Sequence, residues 1–252
     1  MSISVENVSK RYGRVHVLEN ISLSVKQSEC FCLLGRNGAG KSTLINIMSD
    51  IIRPDSGRVT YDGLSFEQDE LVIKRRLGVL PESDPTISEL TGYQYLEFVS
   101  YLHDIPAVKA KSKAEQFFNL LLENKEVGYR RIATYSRGMR VKLALCAALL
   151  HSPVYLLLDE PFTGLDPVSA SILVKLFQEL RNSGAAIFIS SHNLNYVEQI
   201  ATSVGVLDQR QLKFTGTIKD LKDKHNGTIE QSLLDLLGAS RMGPVLEADF
   251  SA

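Results

Sequence analysis

The sequence predicts an α/β fold: a mostly parallel sheet, an antiparallel β part at the N terminus and a helical insertion in the middle. Three observations predict it. The continuous apolar runs CFCLLG, VYLLLD and AAIFISS read as strands buried on both faces, as parallel strands are. Segments with helical spacing lie between those runs. Ahead of the first run, Ile21, Leu23 and Val25 alternate with Ser22, Ser24 and Lys26, the pattern of a half-buried antiparallel strand. With 44% hydrophobic and 23% charged residues in a chain of 252, there is material for a large core.

Taken in order, residues 3–34 read as short strands, the last being CFCLLG, which stops at Gly35. From Ser42 the spacing of Leu44, Ile47, Met48 and Ile51 is helical. Pro54 and Asp55-Ser56-Gly57 break the pattern, residues 58–61 form a strand, and Asp62-Gly63 turns the chain. No element is assigned to residues 64–76. LGVL, residues 77–80, is a short strand closed by Pro81. A helical region follows over about 88–126, with Tyr95, Phe98, Val99 and Leu102 on one face and Phe117, Leu120 and Leu121 on another. Residues 139–151 form the next helix, VYLLLD the next strand, and Asp166 with Pro167 opens a helix reaching Asn182. AAIFISS ends at His192, a helix runs over 193–202, and VGVLD continues as a hairpin to Thr215. A last short helix covers about 228–237, with Ile229, Leu233 and Leu236 on one side. These elements group as one domain over residues 1–238, with the antiparallel part at 1–34 and 56–66 and the helical insertion at 82–145. Residues 239–252 lack pattern and are expected to be a loose tail.

Formal net charge is −1, from 28 basic and 29 acidic residues, which gives no electrostatic case for nucleic acid as a partner. The three cysteines, Cys30, Cys32 and Cys146, are too few and too badly spaced for a zinc site, and are expected to be reduced core thiols. No apolar stretch approaches the roughly 20 residues that cross a bilayer. The expected location is therefore cytoplasmic, with any membrane role exercised through another chain.

Residues 35–43, Gly-Arg-Asn-Gly-Ala-Gly-Lys-Ser-Thr, match GxxxxGK[ST] between a buried strand and a helix. Gly35, Asn37, Gly38, Ala39 and Gly40 bring backbone amides around phosphate oxygens, and the helix start adds unpaired amides and a positive dipole end. Lys41 supplies a cation to the β- and γ-phosphates, and the Ser42 hydroxyl is placed for Mg²⁺, with Thr43 closing the motif. This predicts a P-loop nucleotide binder without choosing between ATP and GTP. VYLLLD delivers Asp159 to a strand end, suited to Mg²⁺ and its waters, with Glu160 next as the candidate base for an attacking water. His192 closes a neighbouring strand and is expected to face the same crevice.

On this set of motifs, over nearly its whole length, the chain resembles the nucleotide-binding domain of ABC ATPases, P-loop NTPases with a RecA-like core. In that resemblance residues 35–43 correspond to Walker A, residues 154–159 to Walker B, Glu160 to the catalytic glutamate, Asp166 to the D-loop and His192 to the switch histidine. Tyr12 falls where the family stacks a ring on adenine. Ser136 and Gly138, in Tyr-Ser-Arg-Gly-Met, stand where the family has LSGGQ and implies contact with the γ-phosphate of ATP held by another subunit. Arg137 departs from that pattern, either adding a cation or standing solvated. Glu82 replaces the usual Q-loop glutamine and is a candidate ligand for Mg²⁺. The resemblance implies ATP and Mg²⁺ as ligands, a head-to-tail dimer with a second cassette, and a separate membrane permease docked on the insertion, whose aromatics are Tyr93, Tyr95, Phe98 and Tyr101. Such a subunit sits on the inner face of the cell membrane. The branch it resembles is that of single-cassette exporters of drugs and antibiotic peptides. The alternatives are a soluble ABC ATPase acting on ribosomes or nucleic acid, and a regulatory nucleotide switch; the single cassette and the intact Asp159-Glu160 pair weigh against them.

Overall fold

The computed structural model describes residues 2–225 and 228–237, so the expected tail at 239–252 lies outside it. Strands β1 (Ser2–Tyr12) and β2 (Val15–Lys26) pair antiparallel and are much longer than the sequence pattern indicates. Register shifts after Val5, Val8 and Lys10 interrupt the alternation, which is why the pattern reads as several short strands. Strand β3 (Cys30–Leu34) leaves this part and enters a second, six-stranded sheet. The antiparallel part therefore ends before residue 30, because β3 is apolar on both faces and needs cover on both. Helix α1 (Lys41–Met48) follows the glycine-rich loop, and β4 (Ser56–Tyr61) returns to complete the sheet β2-β1-β4. The Asp62-Gly63 turn forms as expected, with both residues at positive φ, 52° and 81°.

Helix α2 (Phe66–Lys74) occupies the unassigned stretch. It is interrupted at Asp69 (φ −128°) and leaves Leu71 and Val72 exposed, so it carries no regular apolar stripe. β5 (Leu77–Leu80) is followed by the insertion, where one expected helical region is in fact two helices, α3 (Gly92–Leu102) and α4 (Ala107–Leu121), then 3-10 turns at 125–129 and 132–134. The break falls at Asp104 (φ 54°) and Pro106. Thr91 and Gln94 form a reciprocal capping box that fixes the start of α3. Tyr95 of α3 is buried, but Phe98 and Leu102 are 45% and 66% exposed, so the face expected to be apolar is only partly covered.

Helix α5 (Arg137–Leu149), β6 (Tyr155–Asp159), α6 (Pro167–Asn182), β7 (Ala186–Ser190), α7 (Leu194–Ile200), β8 (Ser203–Asp208) and β9 (Gln211–Gly216) follow. Two further helices, α8 (Ile218–His225) and α9 (Ile229–Leu236), end the described chain. The large sheet has the order β5-β6-β7-β3-β8-β9, parallel except for the final β8–β9 hairpin. Alternate residues of its strands serve two cores. Cys32, Leu156, Leu158, Ile187 and Ile189 pack with α3 to α6. Phe31, Leu33, Leu157 and Phe188 pack with α1 and the antiparallel sheet. All three cysteines are free and buried, as expected of core thiols, and burial raises the Cys146 thiol.

At the root of the insertion, Lys113 of α4 donates to the carbonyls of Leu149 and Leu150 (3.0 and 2.9 Å) and to Ser152 Oγ (2.6 Å), closing the C-terminal end of α5. Beside it, His103 stacks on His151, ring centroids 3.8 Å apart and planes within 6°. His151 Nε2 lies 3.0 Å from the Leu77 carbonyl, an acceptor only, so Nε2 carries the proton. Nδ1 is buried without a partner. Burial, with the His103 ring adding to it, pushes His151 from 6.5 to about 4, and burial also lowers His103 against the pull of Asp104. The unfolded chain therefore takes up protons that the folded chain refuses. Stability is complete above about pH 6.5 and falls as the pH drops toward 4. Each such proton changes the folding constant about tenfold per pH unit. His151→Gln is expected to flatten this slope in urea unfolding between pH 6.5 and 4.5; an unchanged slope would contradict the assignment.

Candidate nucleotide site

The C-terminal ends of β3, β6 and β7 lie side by side, with Leu33 and Asp159 both level with Ser190. The crevice beyond parallel strand ends is where open α/β sheets bind ligands. Here it is a cavity of about 790 Å³. From the phosphate loop, Asn37, Gly38, Gly40, Lys41, Ser42 and Thr43 line it, and Glu82, Asp159, Glu160 and His192 join them.

The loop has its shape for steric reasons. Gly40 sits at φ 107°, and a Cβ there would meet Leu18 Cδ2 at 2.9 Å and the Val17 carbonyl at 3.0 Å. Only glycine fits both the backbone angle and the space. Lys41, the first residue of α1, is buried; its ammonium donates to the carbonyls of Gly35 (2.9 Å) and Arg36 (3.2 Å) and lies 4.0 Å from Glu160 Oε1. Held this way, the charge faces the loop without a carboxylate close enough to neutralise it fully. Ser42 donates its hydroxyl to Glu82 Oε2 at 2.9 Å.

Asp159 is buried at the end of β6, where the Ser190 hydroxyl donates to Oδ1. Burial raises its carboxyl above the usual range; Glu82 and Glu160 push the same way, and the hydrogen bond from Ser190 and the nearby Ser42 hydroxyl oppose them. Glu160 adopts a left-handed φ of 49°, a costly conformation for a residue with a Cβ. Its amide donates to the Ser190 carbonyl and hydroxyl, both at 3.1 Å, which holds the turn. Its Oε2 accepts from His192 Nδ1 at 2.8 Å. The His192 ring is otherwise open to solvent, 59% exposed. One carboxylate thus sits between an ammonium and an imidazole at the cavity wall.

Other expected residues lie elsewhere. Gly35 does not line the cavity; a Cβ on it would sit 2.4 Å from the Leu207 carbonyl, so its smallness serves packing. Ala39 packs against the antiparallel-side core. Ser136 N-caps α5, accepting from the Met139 amide at 3.2 Å, and Gly138 abuts the Gly164 carbonyl with room for no Cβ (2.7 Å). Asp166 N-caps α6 through Ser169, whose hydroxyl and amide hold its carboxyl down at about 2. Tyr12 ends β1, half exposed at 51%, with the Lys10 ammonium 5.6 Å from its ring centre. Neither Ser136, Gly138, Asp166 nor Tyr12 lines the cavity.

Sequence reasoning missed Ser190, which fastens Asp159 and Glu160 together, and Asp84 and Arg140, which line the far wall. A polar pair, Ser190-Ser191, ending a run as apolar as AAIFI is the signal that marks Ser190. Arg137 also lines the cavity, its aliphatic part lying along Gly164.

Comparison with known proteins shows the family. A family model described as "ABC transporter" matches residues 18–163. The linearmycin resistance ATP-binding protein of Bacillus subtilis (strain 168) is 32% identical over 225 residues, covering 89% of this chain and 72% of its own length. The bacitracin transport ATP-binding protein of Enterococcus faecalis is 33% identical over 234 residues, covering 92% and 75%. A solved structure of an ATP-binding subunit of an ABC transporter superposes with TM-score 0.87 at 25% identity over 94% of this chain and 99% of the other. The dimeric bacterial ABC transporter cassette MJ0796, at 22% identity and TM-score 0.79 over 85% and 98%, shares the fold. The matched span holds the phosphate loop and the Asp159-Glu160 pair that build the cavity, and the chain belongs to the ABC transporter family as one of its ATP-binding ATPase subunits.

Proposed function

We propose that two copies of this chain close head to tail around two ATP molecules and drive a separate membrane permease, in the direction of export. The observation that carries the catalytic part is the meeting of Lys41, Ser42, Asp159, Glu160 and His192 at one cavity, with Glu160 and His192 bonded at 2.8 Å. The residues fit the ligands. Gly38 and Gly40 line the cavity at positive φ (77° and 107°), the backbone that lets successive amides turn toward phosphate oxygens. Ser42, Asp159 and Glu82 offer only oxygen atoms, the donor type that a hard cation takes. Mg²⁺, when bound, neutralises charge on the phosphate oxygens.

Within this reading, Lys41 holds the β- and γ-phosphates and Ser42, with Asp159 and Glu82, the cation. Glu160 takes a proton from water as the water attacks the γ-phosphorus and the bond to the β-γ bridging oxygen breaks, giving ADP and phosphate. His192 holds Glu160 and faces the γ-phosphate. Tyr12, exposed at the end of β1, offers its ring to adenine. Ser136 and Gly138 stand outside their own chain's cavity, at the N-terminal end of α5, and Asp166 heads α6 close by; this supports a role for them toward ATP in the second copy.

No helix among the described residues is long and apolar enough to cross a membrane. On α3, Tyr93 and Tyr95 turn inward, while Phe98 and Tyr101 are 45% and 65% exposed, with Leu102 beside them. We assign the permease contact to this exposed stretch, on the cytoplasmic face of the membrane. The transport and resistance functions in the relatives' names support export. The ATPase unit of this reading spans residues 1–238.

Two variants test the site. Glu160→Gln is expected to lower turnover about 10²–10⁴-fold while ATP binding persists and a closed dimer accumulates in gel filtration; wild-type turnover removes Glu160 from its role. Lys41→Ala, with unchanged far-UV circular dichroism, is expected to weaken ATP binding about tenfold or more; unchanged affinity overturns the phosphate-loop assignment.

A further inference from the structure

Residues 81–85 run along the cavity between two prolines, Pro81 and Pro85, and carry two acids two positions apart. These acids hold opposite walls. Glu82 accepts from Ser42 of α1 at 2.9 Å. Asp84 accepts from Arg140 Nη1 of α5 at 3.1 Å. Among the described residues Ser42 is the one hydrogen-bond partner of the Glu82 carboxylate, so where Glu82 stands depends on where its loop is held.

The loop is held firmly at Asp84. That carboxylate also accepts from the Thr86 amide (2.9 Å) and hydroxyl (2.6 Å). Burial works to raise its pKa, yet Thr86 and Arg140 together hold it below the usual carboxylate range. Arg140 is fixed in turn by Ser88 Oγ at 3.2 Å. It lies one turn into α5, and its amide donates to the Ser136 carbonyl at 3.0 Å. An exposed ion pair by itself contributes little. This one differs because Thr86 shapes the loop from within, whereas Arg140 alone ties the Asp84 side chain to another element.

We propose that Arg140 is a positioning residue for the Mg²⁺–nucleotide site: by holding Asp84 it sets the Glu82 carboxylate against Ser42. The α5 helix that presents Ser136 thereby also fixes the cation edge of its own chain's cavity. The inference rests on the reading of Ser42 and Glu82 as that edge.

The test is equilibrium binding of a fluorescent ATP analogue to the full chain, with Mg²⁺ and with EDTA. Arg140→Gln and Asp84→Asn are each expected to weaken Mg²⁺-dependent binding about five- to tenfold, with binding in EDTA changed less than about twofold. Arg140→Lys, which keeps the charge, is expected to recover part of the loss. The double variant is expected to be no weaker than either single one, because both remove the same contact. Unchanged Mg²⁺-dependent binding in the single variants overturns the inference. So does equal weakening with and without Mg²⁺, or a double variant with additive losses. Lys41→Ala is the control. If it also leaves binding unchanged, the phosphate-loop reading has failed; if it weakens binding while Arg140→Gln does not, only the role of Arg140 has.

Discussion

Parallel pairing of β3, β6 and β7 aligns Leu33, Asp159 and Ser190 at one level, and this register governs the site. A shift of one residue in any strand would carry its terminal side chain to the other face of the sheet. Asp159 would then leave the crevice, and the Ser190 hydroxyl would lose both Asp159 and the Glu160 amide. The register is enforced from far outside the site, because alternate residues of the same strands fill two different cores. Hydrophobic burial on both faces is thus what aims a pair of carboxylates into the cavity.

The site holds both crowded charge and backbone strain. Asp159 is buried among other acids, and its ionised form is disfavoured by that burial and by Glu82 and Glu160. Glu160 holds a left-handed backbone angle. Such strain persists only where the surroundings over-determine it, and here Ser190 supplies two bonds to the Glu160 amide. Positive charge near the carboxylates relieves the repulsion. Lys41 contributes some of that charge, 4.0 Å from Glu160.

Much of this was legible in the sequence because it is local. Residues 35–43 declare a glycine-rich loop between a strand and a helix, and Asp159, Glu160 and His192 each end an apolar run. What stayed hidden depends on partners remote along the chain. Ser190 and Asp159 are 31 positions apart, and Arg140 and Asp84 are 56 apart, with no local feature that pairs them. Helix α2 carries no clear stripe because Leu71 and Val72 face outward while Phe66 and Ile73 pack inward, and its path breaks at Asp69. The spacing that places Phe98 and Leu102 on one face with Tyr95 says nothing of whether that face is covered, and only Tyr95 of the three is buried.

The clamp of Lys113 on the last carbonyls of α5 makes that helix a lever. Its 13 residues span about 20 Å at roughly 1.5 Å each. Pivoting about the ammonium by roughly 5° would swing the opposite tip by nearly 2 Å, about two-thirds of a hydrogen-bond length. A modest rocking of α4, which carries Lys113 and packs beside α3, would therefore be magnified at the end that bears Ser136. Gearing of this kind lets a push on the outer helices register as the making or breaking of single polar contacts at the far end.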